Sequence, residues 1–263
     1  MKQILLLFIL LSGPLLRAQL NESDTMKFQL RAGLTGNYQR GNVRVFTVRG
    51  RGDAVWRAGA AFVFKSQNSA LYQYFSGVKA DNDLFSRNYL YYQPAKRVYP
   101  FGIAYISSGY RRKINSRYFA GLGATLQLVR RQWLTLKYSA SIVYEQTVFR
   151  ERSYNFSRYN GQQRLKTWRA TLYTAGNGRI SSGKLRYYFD AFWQPAFADA
   201  KNYRVQADAG IELPVYRGLS FTASCSYFHE HLVVASVRRD DTILGFGISY
   251  QWQQAKQSIK TGR

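Results

Sequence analysis

The sequence predicts an all-β chain, folded as a transmembrane antiparallel up-and-down β-barrel of about twelve strands. Three observations predict it. The N-terminus has the layout of an export signal, runs of strict two-residue alternation recur along the rest of the chain, and the connections between those runs are mostly short and long by turns.

Lys2 leads into the apolar run Ile4 to Leu11, followed by Leu15, Leu16 and a small residue at Ala18. That is the order of a secretory signal, and Gly13-Pro14 interrupts it too soon for a bilayer-spanning helix. Cleavage after Ala18 divides the chain into a signal peptide (1–18), a barrel (19–253) and a polar C-terminal tail (254–263). The lone cysteine, Cys225, excludes an intrachain disulfide, so an exported chain of this length must hold itself together by another device. Tyrosine alone supplies 21 residues and aromatics 16%, more amphipathic rings than a soluble core needs but suited to two interfacial girdles. The formal net charge of +24 favours an anionic neighbour, such as lipopolysaccharide phosphates or an anionic solute. For an exported barrel, nucleic acid is the poorest fit of the anionic partners.

The first run sets Phe28, Leu30, Ala32 and Leu34 on one face against Gln29, Arg31, Gly33 and Thr35 on the other. A second starts at Trp56 (Trp56, Ala58, Ala60, Phe62, Phe64 against Arg57, Gly59, Ala61, Lys65). The next is Tyr118, Ala120, Leu122, Ala124 and Leu126, and another is Leu134, Leu136, Tyr138, Ala140, Ile142 and Tyr144, opposite Lys137 and Glu145. From Leu185 the apolar list is Leu185, Tyr187, Phe189, Ala191 and Trp193, against Arg186 and Asp190. From Tyr203 it is Tyr203, Val205, Ala207, Ala209, Ile211, Leu213 and Val215, against Arg204, Asp208 and Glu212. The last run is Leu244, Phe246, Ile248, Tyr250 and Trp252. The polar faces are rich in Gly, Ser and Thr, as a confined lumen requires, so the apolar faces meet lipid. Alternation near Val43 and Leu84 is too weak to assign the faces of the second and fourth strands.

Short turns are expected around Gly50–Asp53, Pro94–Arg97, Arg130–Gln132, Ile180–Lys184 and Tyr216–Gly218. Longer outer loops are expected at 65–80, 111–116, 149–164, 197–202 and 229–240, with a short first one near Arg40–Asn42.

The segments "LTGNYQRGNVRVFTVRG", "DNDLFSRNYLYYQPAKRVYPFGIAYISSGY" and "RYFAGLGATLQLV", with Arg117, Gly121 and Gly123 in the last, resemble the salt-induced outer-membrane β-barrel proteins of unknown function, the YdiY-like family. The resemblance covers nearly the whole mature chain and implies an outer-membrane barrel with no agreed activity. A long basic fourth outer loop and the tail past Trp252 depart from the family pattern.

Candidate chemistry is sparse. His229-Glu230-His231 offers two imidazoles on one face, short of a usual zinc set, so no metal and no cofactor is expected. No His-x-Ser pair occurs, which leaves outer-wall acyl chemistry without a motif, and no catalytic residue is expected. Arg51-Gly52-Asp53 reads as a hairpin turn, and "GLGATL" as glycines that let a strand fit, since no helix follows. The inward charges are more informative. Arg31, Arg57, Lys137, Arg169, Arg186 and Arg204 share one enclosed space with Glu145, Asp190, Asp208 and Glu212. They form either a salt-bridge plug, with Arg57, Arg186 and Arg204 paired to Asp190, Asp208 and Glu212, or the lining of a narrow anion-preferring pore. Arg150, Arg152, Arg158 and Arg164 in the fourth outer loop are placed to clamp lipopolysaccharide phosphates. The expected whole is a monomer of structural or envelope-stabilising duty.

Overall fold

A computed structural model describes residues 20–23, 26–40, 44–131, 133–180, 184–216 and 218–254. The strands are β1 (Phe28–Gln39), β2 (Val45–Ala58), β3 (Phe62–Phe75), β4 (Val78–Tyr92), β5 (Val98–Gly109) and β6 (Ile114–Arg130). They continue with β7 (Leu134–Phe149), β8 (Arg164–Ile180), β9 (Leu185–Ala196), β10 (Asp199–Tyr216), β11 (Leu219–Glu230) and β12 (Asp240–Gln254). Each strand is antiparallel to its sequence neighbours, and β1 also pairs with β12, from Phe28 opposite Gln254 to Thr35 opposite Gly247. The sheet therefore closes on itself and leaves no edge.

The alternation sorts the side chains as the sequence predicts, except that the run from Trp56 to Phe64 is not one strand but is broken at 59–61 between β2 and β3. Leu122, Leu244 and Phe246 are 76%, 66% and 69% exposed, while Arg31, Lys65, Lys137, Glu145 and Arg204 are buried. That distribution is inverted for water and correct for lipid outside a polar lumen. Aromatics mark both rims of the apolar belt: Trp56, Phe62, Tyr92 and Trp252 near one, Tyr72, Tyr144, Trp168 and Trp193 near the other. Arg117, Gly121 and Gly123 share the inward face of β6. A Cβ on Gly121 would run into the backbone of Ile142 and Val143, so β6 and β7 approach as they do because these positions are glycine.

One end of the barrel carries both termini of the sheet, and the other carries the longer connections at 150–163 and 231–239. These two loops pair with each other over the rim. Tyr154 bridges Val234, Asn155 N–H donates to the Val233 carbonyl (3.1 Å), and Ala235 N–H donates to the Ser153 carbonyl (2.9 Å). Beneath them Ile114, Phe149, Tyr154, Leu165, Leu232 and Val234 form an apolar cluster. At the termini end, Leu20 packs against Val55, Val63, Tyr89, Tyr91, Tyr99 and Phe101 inside the lumen.

The structure corrects three connections. Gly50–Asp53 is not a turn but the middle of β2, and the real turn is Gly59 to Ala61, with Gly59 at φ +69°. The stretch 65–80 is not a loop but most of β3, a tight turn at Ser76-Gly77 with both φ angles positive, and the start of β4. The stretch 197–202 holds only a turn at Phe197-Ala198 before β10 begins at Asp199. The structure also assigns the faces the alternation left open. Thr47, Arg49, Arg51 and Asp53 of β2, and Asp81, Phe85, Arg87 and Tyr89 of β4, point inward. The expected signal peptide with its cleavage after Ala18 lies outside the described residues, as does the tail beyond Gln254.

Candidate functional site

The lumen contains two ion-paired layers. At the termini end, the segment 20–23 enters the barrel and presents Glu22 to three strands. Its carboxylate takes Lys137 Nζ of β7 at 2.7 Å, Lys65 Nζ of β3 at 3.3 Å and the Tyr99 hydroxyl of β5 at 2.9 Å. Asn21 Oδ1 accepts from Lys137 at 2.6 Å, and Gln29 donates to the Asn21 carbonyl at 3.1 Å. Arg57 donates to the Glu22 carbonyl at 3.3 Å. Beside this plug Arg31 pairs with Glu212 and lies 3.9 Å from Asp53, which also holds Arg51 at 3.2 Å. Burial pushes the Glu22 carboxyl up, but Lys137 and Lys65 outweigh it and hold the group well below the ordinary carboxylate range.

At the loop end, Glu145 of β7 meets Arg204 Nη2 (2.5 Å), Arg169 Nε (3.2 Å) and Arg117 Nε (3.8 Å). Arg117 of β6 also forks onto Glu230 of β11, at 2.6 and 3.0 Å, reaching across the ring. Arg112 joins Glu230 (2.9 Å) to Asp241 (3.1 Å), and Arg111 joins Asp241 (2.9 Å) to Asp81 (3.5 Å). The chain of charges thus runs from mid-wall to rim. In such a medium a carboxylate shared by several guanidinium groups offsets the desolvation that an isolated pair cannot.

All ten expected lumen charges face inward, and the structure brings them into different partnerships from those the sequence predicts. Arg204 pairs with Glu145, not with Asp190, Asp208 or Glu212, because Glu145 sits at its height in the barrel. Arg57 serves the plug. Arg186 stands opposite Glu212 in the ladder, but it makes no ion pair within 4 Å among the described residues. Asp208 accepts from Ser226 (2.5 Å) and Gln206 (2.7 Å) and lies directly across the β9–β10 ladder from Asp190. Sequence reasoning missed Glu22, Lys65, Arg87, Arg112, Arg117 and Glu230 as members. Arg51 and Asp53 were hidden by the turn reading, and Glu230 by its histidine neighbours. Lys65 and Arg117, each on the polar side of an assigned strand, carried a usable signal.

His229 meets Asp240 at 2.8 Å, and His231 stacks on Tyr203 at 4.8 Å and lies tilted against Phe156 at 5.2 Å. Among the described residues no three His, Cys, Asp or Glu side chains gather as a metal site. In the fourth outer loop Arg150 lies over the Tyr110 ring, Arg152 donates to Gln163 at 3.1 Å, and Arg158 engages Asp199. Arg164 is exposed at the start of β8.

The family described as "Protein of unknown function, DUF481" matches residues 30–252. Among solved structures, the chain is similar to the NanC porin at TM-score 0.51 and 8% identity, over 85% of this chain and 98% of that one. It is also similar to the translocator domain of the autotransporter NalP from Neisseria meningitidis (TM-score 0.45, 11% identity, 86% and 87% covered). A further similar structure is the KdgM porin (TM-score 0.44, 9% identity, 85% and 98% covered). No curated relative matches the chain. At these identities the likeness to the NanC porin shows the fold alone.

Proposed function

The chain belongs to the DUF481 family of proteins of unknown function, and from that premise we propose that it is a non-enzymatic, monomeric outer-membrane β-barrel with an envelope-stabilising role. Its lumen is closed to ions. The observation that carries this reading is the Glu22 plug, where one carboxylate ties β3, β5 and β7 together across the termini end. The loop end faces outward and the termini end faces the periplasm, as the longer loops require. Arg150, Arg152, Arg158 and Arg164 then stand at the height of lipopolysaccharide phosphates, which a guanidinium fork grips through two oxygens.

Purified protein in planar bilayers tests the closure. The expected result is a silent barrel at neutral pH. A steady anion-selective current would replace this reading with a small anion-preferring channel, which is favoured by the lumen arginines Arg49 and Arg87, with no carboxylate within 4 Å among the described residues.

A further inference from the structure

Between the two ion-paired layers the lumen is not filled. A cavity of about 160 Å³ lies there and reaches the loop end, where Arg111, Arg112 and Asp241 line it. Its walls carry charges of both signs that make no ion pair within 4 Å among the described residues. Arg87 is 6% exposed and has no carboxylate within 4 Å among the described residues. Its guanidinium lies over the rings of Phe85, Tyr105 and Phe192 at 5.7, 5.9 and 5.6 Å. Arg49 of β2 makes a single side-chain hydrogen bond among the described residues, to Ser226 Oγ at 3.5 Å. Asp190 is 4% exposed, its Oδ1 accepts no hydrogen bond, and no cation lies within 4 Å of it among the described residues. Its nearest acidic neighbour across the ladder, Asp208, adds repulsion rather than relief.

A buried charge without a partner is costly, and here both signs face one space walled by aromatic rings. A simple anion would satisfy the arginines and worsen the position of the two aspartates. A simple amine would do the reverse. We propose that the cavity between Arg49, Arg87 and Asp190 is a binding site for a small zwitterion with a ring or apolar body, of the aromatic amino acid class. Its carboxylate meets the guanidinium forks of Arg49 and Arg87, and its ammonium meets Asp190 with Asp208 behind it. Its body lies against Phe85, Tyr105, Phe192 and Tyr188, which also line the cavity. The space is of the right order, since a dry cavity of about 150 Å³ holds a benzene ring. The site is independent of whether the lumen conducts.

The test uses the full barrel in detergent micelles, with ligand binding followed by saturation-transfer NMR against empty micelles. The probes are L-phenylalanine, 3-phenylpropionate, which lacks the ammonium, and phenethylamine, which lacks the carboxylate. Phenylalanine should bind about tenfold more tightly than either, the scale of one charge-assisted hydrogen bond. Asp190→Asn is nearly isosteric and should abolish the preference over phenylpropionate. Arg49→Gln, at a half-buried position, should abolish the preference over phenethylamine, while Lys96→Gln on the exposed β4–β5 turn should change neither. The proposal is overturned if phenylalanine does not bind, if the three probes bind alike, or if folded Asp190→Asn keeps its preference.

Discussion

Glu145 and Arg204 face each other at 2.5 Å, yet they are not equivalent partners. Removing Arg204 leaves Glu145 with Arg169 and Arg117, so its charge stays compensated. Like-charge repulsion among the guanidinium groups even falls. What is lost is the bond to Glu145 and that to Gln194, so Arg204→Ala should cost about 1–3 kcal/mol. Glu145→Gln instead leaves the buried Arg169 and Arg204 around a neutral amide, while Arg117 keeps Glu230, and the loss is on the scale of breaking a buried pair, about 3–5 kcal/mol. Heat-induced loss of the fast-migrating folded band on gels should therefore rank Glu145→Gln well below Arg204→Ala, with the wild type highest. Equal melting of the two variants would mean that this layer is hydrated and its pairs are worth little. Residues of this kind were legible as inward charges but not as partners. A two-residue period gives the face of each side chain, whereas pairing depends on strand stagger around the closed ring, which no local pattern carries.

Strands whose two faces differ chemically were legible, and β2, β3 and β4 were not because the middle of their outward faces is weakly apolar. The centre of that wall presents Gly50, Gly52 and Ala54 on β2, Ser66, Asn68 and Ala70 on β3, and Ser86 and Asn88 on β4. With polar residues on both sides, Lys65 to Ser69 looks like a loop, while the actual turn at Gly59 to Ala61 contains no polar residue. The lipid-facing amides are tolerated because they are satisfied locally. Asn68 Nδ2 donates to Ser66 Oγ (2.9 Å) and to the Gly52 carbonyl (3.3 Å), and Asn88 Nδ2 donates to Ser86 Oγ (3.0 Å). Such intramembrane hydrogen bonds are modest, whereas an apolar side chain gains from contact with lipid. For a monomeric barrel, Asn68→Leu should raise stability by about 1 kcal/mol, measured by denaturant unfolding from phospholipid vesicles. A loss of similar size would show that another protein surface, not lipid, covers this wall.

For the whole molecule, closure rests on a segment outside the sheet. Glu22 is held below the ordinary carboxylate range, so protonating it costs more in the folded barrel than in the released segment. The sign follows directly. Above the ordinary carboxylate value of about 4.3 the plug has its full electrostatic stabilisation, and that stabilisation fades as pH falls toward the lower folded value. Released of its anion, the site leaves Lys65 and Lys137, both buried and drawn to one carboxylate, facing each other. Their repulsion then favours expulsion of the segment. Planar-bilayer records should accordingly be silent near neutrality and show openings only as the solution is taken into the acid range below about pH 4. Glu22→Gln removes the anion at every pH, so it should open at neutral pH and lose the acid dependence, while retaining the heat-modifiable mobility of a closed barrel. Silence of this variant at all pH values would mean that the Arg31, Asp53 and Glu212 group, rather than the plug, seals the termini end.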